Sequence, residues 1–250
     1  MGALPIDLVL NPVDATWDQV VEVARAAEGA GYSGLWVLDH VSGTPFGAAT
    51  TMECFTLLGA LAVAVPRLPV GPLVVNAAAR PVAVTGLALE TIGRIAGDRL
   101  RIGIGAGAGT AGPFAVEHEV LGRPAGPLVA RHRRVHHVLD DVSARPSLAG
   151  VPVIVGANSP ALAGLAGRHA DGLNIGVDHP DRAALISAAR SATPAEPGRS
   201  FEVSAWARWR PALTDPAHAD RVALARSGVA RLMLALRPAE ITAADLPPAG

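Results

Sequence analysis

The chain alternates short apolar runs, rich in Val, Ile and Leu, with longer stretches whose apolar residues recur every three or four positions. The short runs read as buried parallel strands and the longer stretches as amphipathic helices. Residues 6–10 form the first strand. Thr16 opens a helix, with Gln19 three residues on as a capping box, and Gly31 stops it. A second strand, 34–38, runs into Asp39 and His40. A helix over 53–64 and a strand over 68–75 follow. Pro81 opens a third helix that closes at Gly97. The fourth strand, 100–104, passes into the glycine-rich run 103–109. Pro127 opens a helix that reaches Val142. Strands at 152–155, 172–175, 201–208 and 231–235 complete the set. The helices between them start at Pro160 or cover 181–192 and 216–227.

Eight strands alternating with helices call for parallel pairing and right-handed crossovers. They predict an α/β protein, a closed (β/α)8 or TIM barrel, with residues 1–250 as a single domain. An open doubly wound sheet is the alternative. The Pro/Ala-rich stretch 193–198 reads as a loop inside this repeat. Two irregularities stand out. Only residues 143–150 separate a helix from the fifth strand, and Pro247-Pro248 leaves little room for a full eighth helix.

Composition narrows the function. A chain of 250 residues, 50% of them hydrophobic, buries a core that needs no disulfide or metal. Cys54 is the single cysteine, which excludes a disulfide framework and a multi-cysteine zinc site and suits a cytoplasmic location. A net charge of −1 offers no bulk attraction to nucleic acid or an anionic membrane. The first ten residues carry Asp7 and no basic group, unlike a secretory signal. Gly2 lacks the downstream Ser or Thr of a myristoylation site. Apolar runs such as 57–65 are too short to span a bilayer. All 21 basic residues are arginine, so a lysine Schiff base or lysine general base is excluded.

In a barrel the active site lies at the C-terminal ends of the strands. That rule selects Asn11, Asp39 and His40, Asn76, the run 103–109, the segment 156–159, Asn174 and residues 206–208. A histidine there can exchange protons near neutral pH. The glycine run lets backbone approach a ligand closely or makes a plain tight turn. It matches G-x-G-x-x-A from Gly103 to Ala108, but it leads to Gly112-Pro113 and not into a helix, so nicotinamide binding lacks its structural context. Gly156-Ala-Asn-Ser159 precedes Pro160 at a helix start, which is a seat for phosphate or simply a cap at Ser159. His132 and His136 have the spacing of metal ligands. Arg133 stands where the zinc-protease motif needs glutamate, and Asp140 and Asp141 follow His136 and His137 by four residues. A solvated, ion-paired face without metal is therefore expected. Glu117-His-Glu119 can supply acid or base groups from a loop. Signatures of serine hydrolases, P-loop NTPases and zinc deaminases are missing.

Four segments in order resemble the luciferase-like monooxygenase superfamily, which includes FMN-dependent monooxygenases and oxidoreductases of the deazaflavin coenzyme F-420. They are Glu28-Gly-Ala-Gly-Tyr-Ser-Gly-Leu-Trp-Val-Leu-Asp-His40; Leu68-Pro-Val-Gly-Pro-Leu-Val74 with Arg80-Pro81; Gly97-Asp-Arg-Leu-Arg-Ile-Gly-Ile-Gly-Ala-Gly107; and Val151-Pro-Val-Ile-Val-Gly-Ala-Asn-Ser159 with Gly167-Arg-His-Ala-Asp-Gly-Leu-Asn174. The resemblance covers residues 1–176 well and the remainder weakly.

It implies an oxidoreductase that moves hydride between F-420, or FMN, and a small organic substrate. Asp39 and His40 would border the reactive face of the ring, with His40 handling the proton and Asp39 orienting it. Leu73 and Val74 align with a bulge that in many relatives holds a non-prolyl cis peptide behind the ring. Asn76 would line the ring edge and Gly105, Ala106 and Gly107 would approach the cofactor. Gly156, Ala157, Asn158 and Ser159 would hold its phosphate. Relatives that oxidise sugar phosphates carry a tryptophan and a glutamate where this chain has Thr44 and Ala108, so that substrate class is not expected. The shortened insertion before the fifth strand implies an open pocket, a large substrate or a weakly held cofactor. Relatives are commonly homodimers, and an incomplete eighth helix would leave apolar surface for a partner. An FMN monooxygenase and a cofactor-poor binding protein on a degraded barrel are the alternative functions.

Overall fold

The computed structural model describes residues 4–195 and 200–249. Residues 1–3, residues 196–199, which include the end of the expected loop, and Gly250 lie outside them. The elements follow the expected alternation: β1 (Ile6–Leu10), α1 (Trp17–Gly29), β2 (Gly34–Val37), α2 (Cys54–Ala64), β3 (Val70–Pro72), β4 (Val75–Asn76), α3 (Val82–Ala96), β5 (Ile102–Gly105), α4 (Val116–Val120), α5 (Leu128–Ser143), β6 (Val153–Gly156), α6 (Pro160–His169), β7 (Gly172–Gly176), α7 (Arg182–Ala192), β8 (Glu202–Arg208), α8 (Ala219–Arg226) and β9 (Arg231–Leu236).

All strand pairs are parallel. The sheet runs β3-β2-β1-β9-β8-β7-β6-β5-β4, with β1 paired to both β2 and β9. A bridge between Val70 and Leu100, with Arg101 N–H donating to the Val70 carbonyl at 2.9 Å, joins β3 to the β5 side and closes the cylinder. The fold is thus a TIM barrel, and the open-sheet alternative is excluded. The expected third strand, 68–75, is divided: β3 faces β2, a cis peptide joins Leu73 to Val74, and β4 pairs with β5.

Alternation along each strand sorts the core into two layers. Ile6, Leu8 and Leu10 point out against the helices. Val9, Trp36, Leu73, Ile154 and Met233 fill the barrel. Below them, at the N-terminal ends of the strands, lies a charged floor. Asp7 is buried and accepts hydrogen bonds from Trp36 Nε1 at 2.7 Å and Arg231 Nη1 at 2.9 Å, while Arg231 Nε reaches Glu202 at 3.0 Å. Burial pushes the Asp7 carboxyl above its usual range, against the pull of Arg231.

The chain after β9 makes no α-helix among the described residues. It crosses instead onto α1, where Leu246 is buried, the Ala249 amide donates to the Ala30 carbonyl at 2.9 Å and Tyr32 Oη donates to the Pro247 carbonyl at 3.2 Å. The apolar surface expected beside an incomplete eighth helix is therefore partly covered by the chain's own tail.

Candidate active site

At the C-terminal mouth, β2 delivers Asp39 and His40 in succession. Consecutive residues of extended chain point to opposite sides, and the two side chains part. Asp39 takes a bidentate ion pair from Arg80 at 2.7 and 2.8 Å and a hydrogen bond from the Asn76 amide at 2.8 Å. Arg80 also reaches Glu53 at 2.6 Å and lies 4.5 Å over the Phe55 ring. Burial opposes its charge, but the hydrogen bonds to Asp39 and Glu53 prevail and hold the guanidinium above its usual range. Asp39 therefore locks β2 to the β4–α3 connection and does not orient His40.

The partner of His40 is Glu117. Its Oε1 lies 2.8 Å from His40 Nδ1 and accepts from the Val41 amide at 3.2 Å. Glu117 was expected in a loop; it belongs to the short helix α4, and its side chain is 2% exposed against 25% for His40. A carboxylate can only accept, so Nδ1 carries the proton and Nε2 of a neutral ring is left as the basic atom. Phe114 stacks on the imidazole with centroids 4.9 Å apart, and Phe46 meets it edge-on at 4.9 Å. These rings fix the plane of His40 as Glu117 fixes its tautomer.

The segment bearing α4 is fastened from several directions. His118 Nε2 lies 3.2 and 3.1 Å from the carbonyls of Ala108 and Gly109, Arg131 donates to the Gly107 carbonyl at 3.0 Å, and Arg123 reaches the Ala78 carbonyl. One face of α5 thus supports the mouth. On its other face His136 pairs with Asp140 at 3.2 Å, as its spacing indicated. With the insertion before β6 reduced to one 3-10 turn, Pro146–Leu148, His40 is covered by the connection between β5 and α5 together with Phe46 of the β2–α2 connection.

The glycines of β5 and β6 have a concrete purpose. A Cβ on Gly105 would lie 2.3 Å from Val74 Cγ2, one on Gly103 2.6 Å from the Pro72 carbonyl oxygen, and one on Gly156 3.1 Å from Val74 Cγ1. The three glycines make room for the Leu73–Val74 bulge, and Val74 occupies the space that the sequence suggested for a ligand at Gly105. Gly107 has a φ of +67° and would place a Cβ 2.3 Å from Asn76 Oδ1. Ala106 is buried. Gly105→Ala is expected to destabilise the fold by about 1–3 kcal/mol through overpacking, and adding Val74→Ala should restore most of that loss. Denaturant midpoints of the three variants check this; additive losses would break the proposed contact.

At the start of α6 the Ala157 amide is already spent on the Asn174 carbonyl at 3.0 Å, and Ser159 Oγ caps the helix from the Leu162 amide at 3.4 Å. Of the segment 156–159, only Asn158 is exposed. Cys54 is buried against the Val37 carbonyl, and burial raises its thiol well above the usual value. It is not a poised nucleophile.

A parallel barrel with an inward bulge and a carboxylate-held histidine at its mouth defines a class of (β/α)8 enzyme-like proteins. The sequence pattern of the family described as luciferase-like monooxygenase matches residues 7–245, and the chain belongs to that family. The fold is similar to an F-420-dependent secondary alcohol dehydrogenase solved with an F-420–acetone adduct (15% identity, TM-score 0.72, 95% of this chain and 94% of that one). It is also similar to the coenzyme F-420 dependent tetrahydromethanopterin reductase from Methanopyrus kandleri (15%, 0.68, 94% and 93%). The oxygenating constituent of 3,6-diketocamphane monooxygenase from Pseudomonas putida, solved with FMN, is more distant (17%, 0.59, 81% and 67%).

Proposed function

We propose that this chain, acting as one cytoplasmic domain, is an oxidoreductase that uses coenzyme F-420 to transfer hydride to or from a small organic substrate. The observation that carries the reading is the conjunction at the mouth of an inward Leu73–Val74 bulge with a histidine whose tautomer and plane are fixed by Glu117, Phe114 and Phe46. The residues fit a flat ring. Val74 is only partly buried although it faces the barrel, so a planar group can lie against it, with Asn76 and the carbonyl side of the glycine run at its edge. Asn158 and Ser159 at the start of α6 are the seat for its phosphate. The bound cofactor supplies the hydride chemistry. His40 Nε2 takes up or returns the substrate proton, Glu117 holds the ring for that exchange, and Asp39 with Arg80 keeps β2 and β4 in register beneath it.

F-420 is preferred over FMN because the two F-420 proteins match at TM-scores of 0.72 and 0.68, above the 0.59 of the FMN-bound monooxygenase. Fluorescence titration of the cofactor-free protein with F-420, FMN and NADPH in turn tests this reading. Saturable binding of F-420 is expected, with none of NADPH. Binding of FMN alone would move the protein to monooxygenase chemistry. Binding of neither, by a protein that melts cooperatively, would leave a barrel that only binds other molecules.

We further propose a homodimer, through a face other than the one expected. Helix α2 contains no charged residue, and an all-apolar helix belongs in an interior. Val84, Leu87 and Ile95 of α3 are nonetheless exposed along a shared groove with Gly59 and Ala60 of α2, and Val63 of α2 is exposed as well. A second copy of this helix pair would bury them. Light scattering should give a dimer at micromolar concentration, and Leu87→Glu should shift it toward monomer. A monomeric parent protein would refute the assignment.

A further inference from the structure

The inner face of β8 carries Glu202, Ser204, Trp206 and Arg208 from floor to rim, because Val203, Ala205 and Ala207 pack outward. Glu202 and Ser204 are committed inside the barrel, to Arg231 and to Asn174. Trp206 and Arg208 are not. The Trp206 indole stands over Gly176 of β7, its atoms 3.6–3.8 Å from where a Cβ would sit, yet it is 44% exposed. An inward-facing indole that solvent reaches marks an open hollow with one apolar wall. Arg208 is also exposed and has no hydrogen-bond or ion-pair partner among the described residues. Other arginines of this end are taken: Arg80 by Asp39, Arg131 by Gly107, Arg237 by Glu240 and the Phe46 carbonyl.

The adjoining strands complete the sector. Arg208 is in register with Ala235 of β9, and Ala235 with Val9 of β1, two residues before Asn11 on the same face. Asn11 is 6% exposed, and its Oδ1 has no hydrogen-bond partner. A buried acceptor left alone in a folded chain calls for a partner that the chain itself does not supply. Ala235, the residue between Arg208 and Asn11 in register, carries only a methyl side chain.

We infer that Trp206, Arg208 and Asn11 form the substrate subsite, and that its substrate class is a carboxylate with a flat apolar body bearing a hydroxyl group. Arg208 holds the carboxylate through paired, charge-assisted hydrogen bonds. The Trp206 indole carries the flat body, and the Asn11 side-chain amide, turned toward the hollow, pairs with the hydroxyl. The assignment rests on the redox reading above, since these residues lie on β8, β9 and β1, away from the Leu73–Val74 bulge and the α6 start assigned to the cofactor.

Calorimetric titration of the full chain with para-coumarate and its methyl ester tests the subsite. The acid should saturate the protein, with the uncharged ester about tenfold weaker. Arg208→Gln should abolish that preference, Trp206→Leu should weaken both probes alike, and F-420 or FMN affinity should be unchanged in Arg208→Gln. Equal affinity for acid and ester, indifference to Arg208→Gln, or no saturable binding by folded protein would overturn the inference. So would loss of cofactor binding in Arg208→Gln, which would place the guanidinium on the cofactor phosphate. A protein that takes up no cofactor but keeps Arg208-dependent binding of para-coumarate would sink the redox reading and leave the anion subsite standing.

Discussion

Arg231→Leu is expected to destabilise the fold by about 3–5 kcal/mol, the loss typical of removing one partner from a buried ion pair. Arg231 is the cation that faces Asp7 on the barrel floor, and the Asp7 side chain is only 2% exposed. The loss should depend on pH in a defined direction. Asp7 titrates above its ordinary value of 3.8 in the folded chain because burial outweighs Arg231. The folded state therefore binds this proton more tightly than the unfolded state, and Asp7 erodes stability as pH rises through its folded pKa. Removing Arg231 pushes that pKa further up. The gap between variant and parent should be smallest in acid, where Asp7 is neutral in both, and should widen toward neutrality. Urea midpoints at about pH 4 and about pH 7 measure it. Adding Asp7→Asn should recover part of the loss at neutral pH, and a gap independent of pH would show that the floor is held by packing alone.

His40→Ala is expected to bind cofactor within a few-fold of the parent while turnover falls about 10²–10⁴-fold, the usual worth of a positioned acid or base. Retained turnover would remove His40 from the chemistry. Glu117 acts through His40, and its variants separate that role from packing. Glu117→Ala should lower turnover with little change in KM. It should also let the imidazole proton move from Nδ1 to Nε2, seen in the nitrogen chemical shifts of His40 in the cofactor-free protein. Glu117→Gln, whose amide oxygen can still accept, should restore part of the tautomer preference. An unchanged tautomer in Glu117→Ala would mean that Phe114 and Phe46 alone orient the ring.

The barrel was legible because its strands and helices differ in period, and period survives any choice among Val, Ile and Leu. The break inside the third strand was not legible in that way. Residues 68–75 are apolar throughout, so hydropathy cannot show that the chain changes neighbours at Leu73; only the likeness to relatives pointed there. The site was half legible. His40 and Asp39 stand at a strand end, and adjacency suggested a working pair, but adjacent residues of an extended chain diverge. The true partner, Glu117, is 77 residues away and announces itself only as an acid in a stretch of unclear structure. The glycine run was visible, but its cause was not. Gly103 and Gly105 are small because Pro72 and Val74 crowd them from another strand, a reason that resides in the partner and not in the run. Trp206, Arg208 and Asn11 were marked by position alone, and their open valences became visible only once every neighbour was placed.

The division of the third strand also decides where the cylinder breathes. Elsewhere the wall is a continuous ladder, but between β3 and β5 it is held by the Val70–Leu100 bridge and the bond from the Arg101 amide, before β4 resumes the pairing at Val75. Opening of the wall is therefore expected to begin at this seam, where the fewest hydrogen bonds are lost. Amide exchange should be quickest along the two banks of the seam, and a molecule resting on Leu73 and Val74 would act as the stitch that slows it.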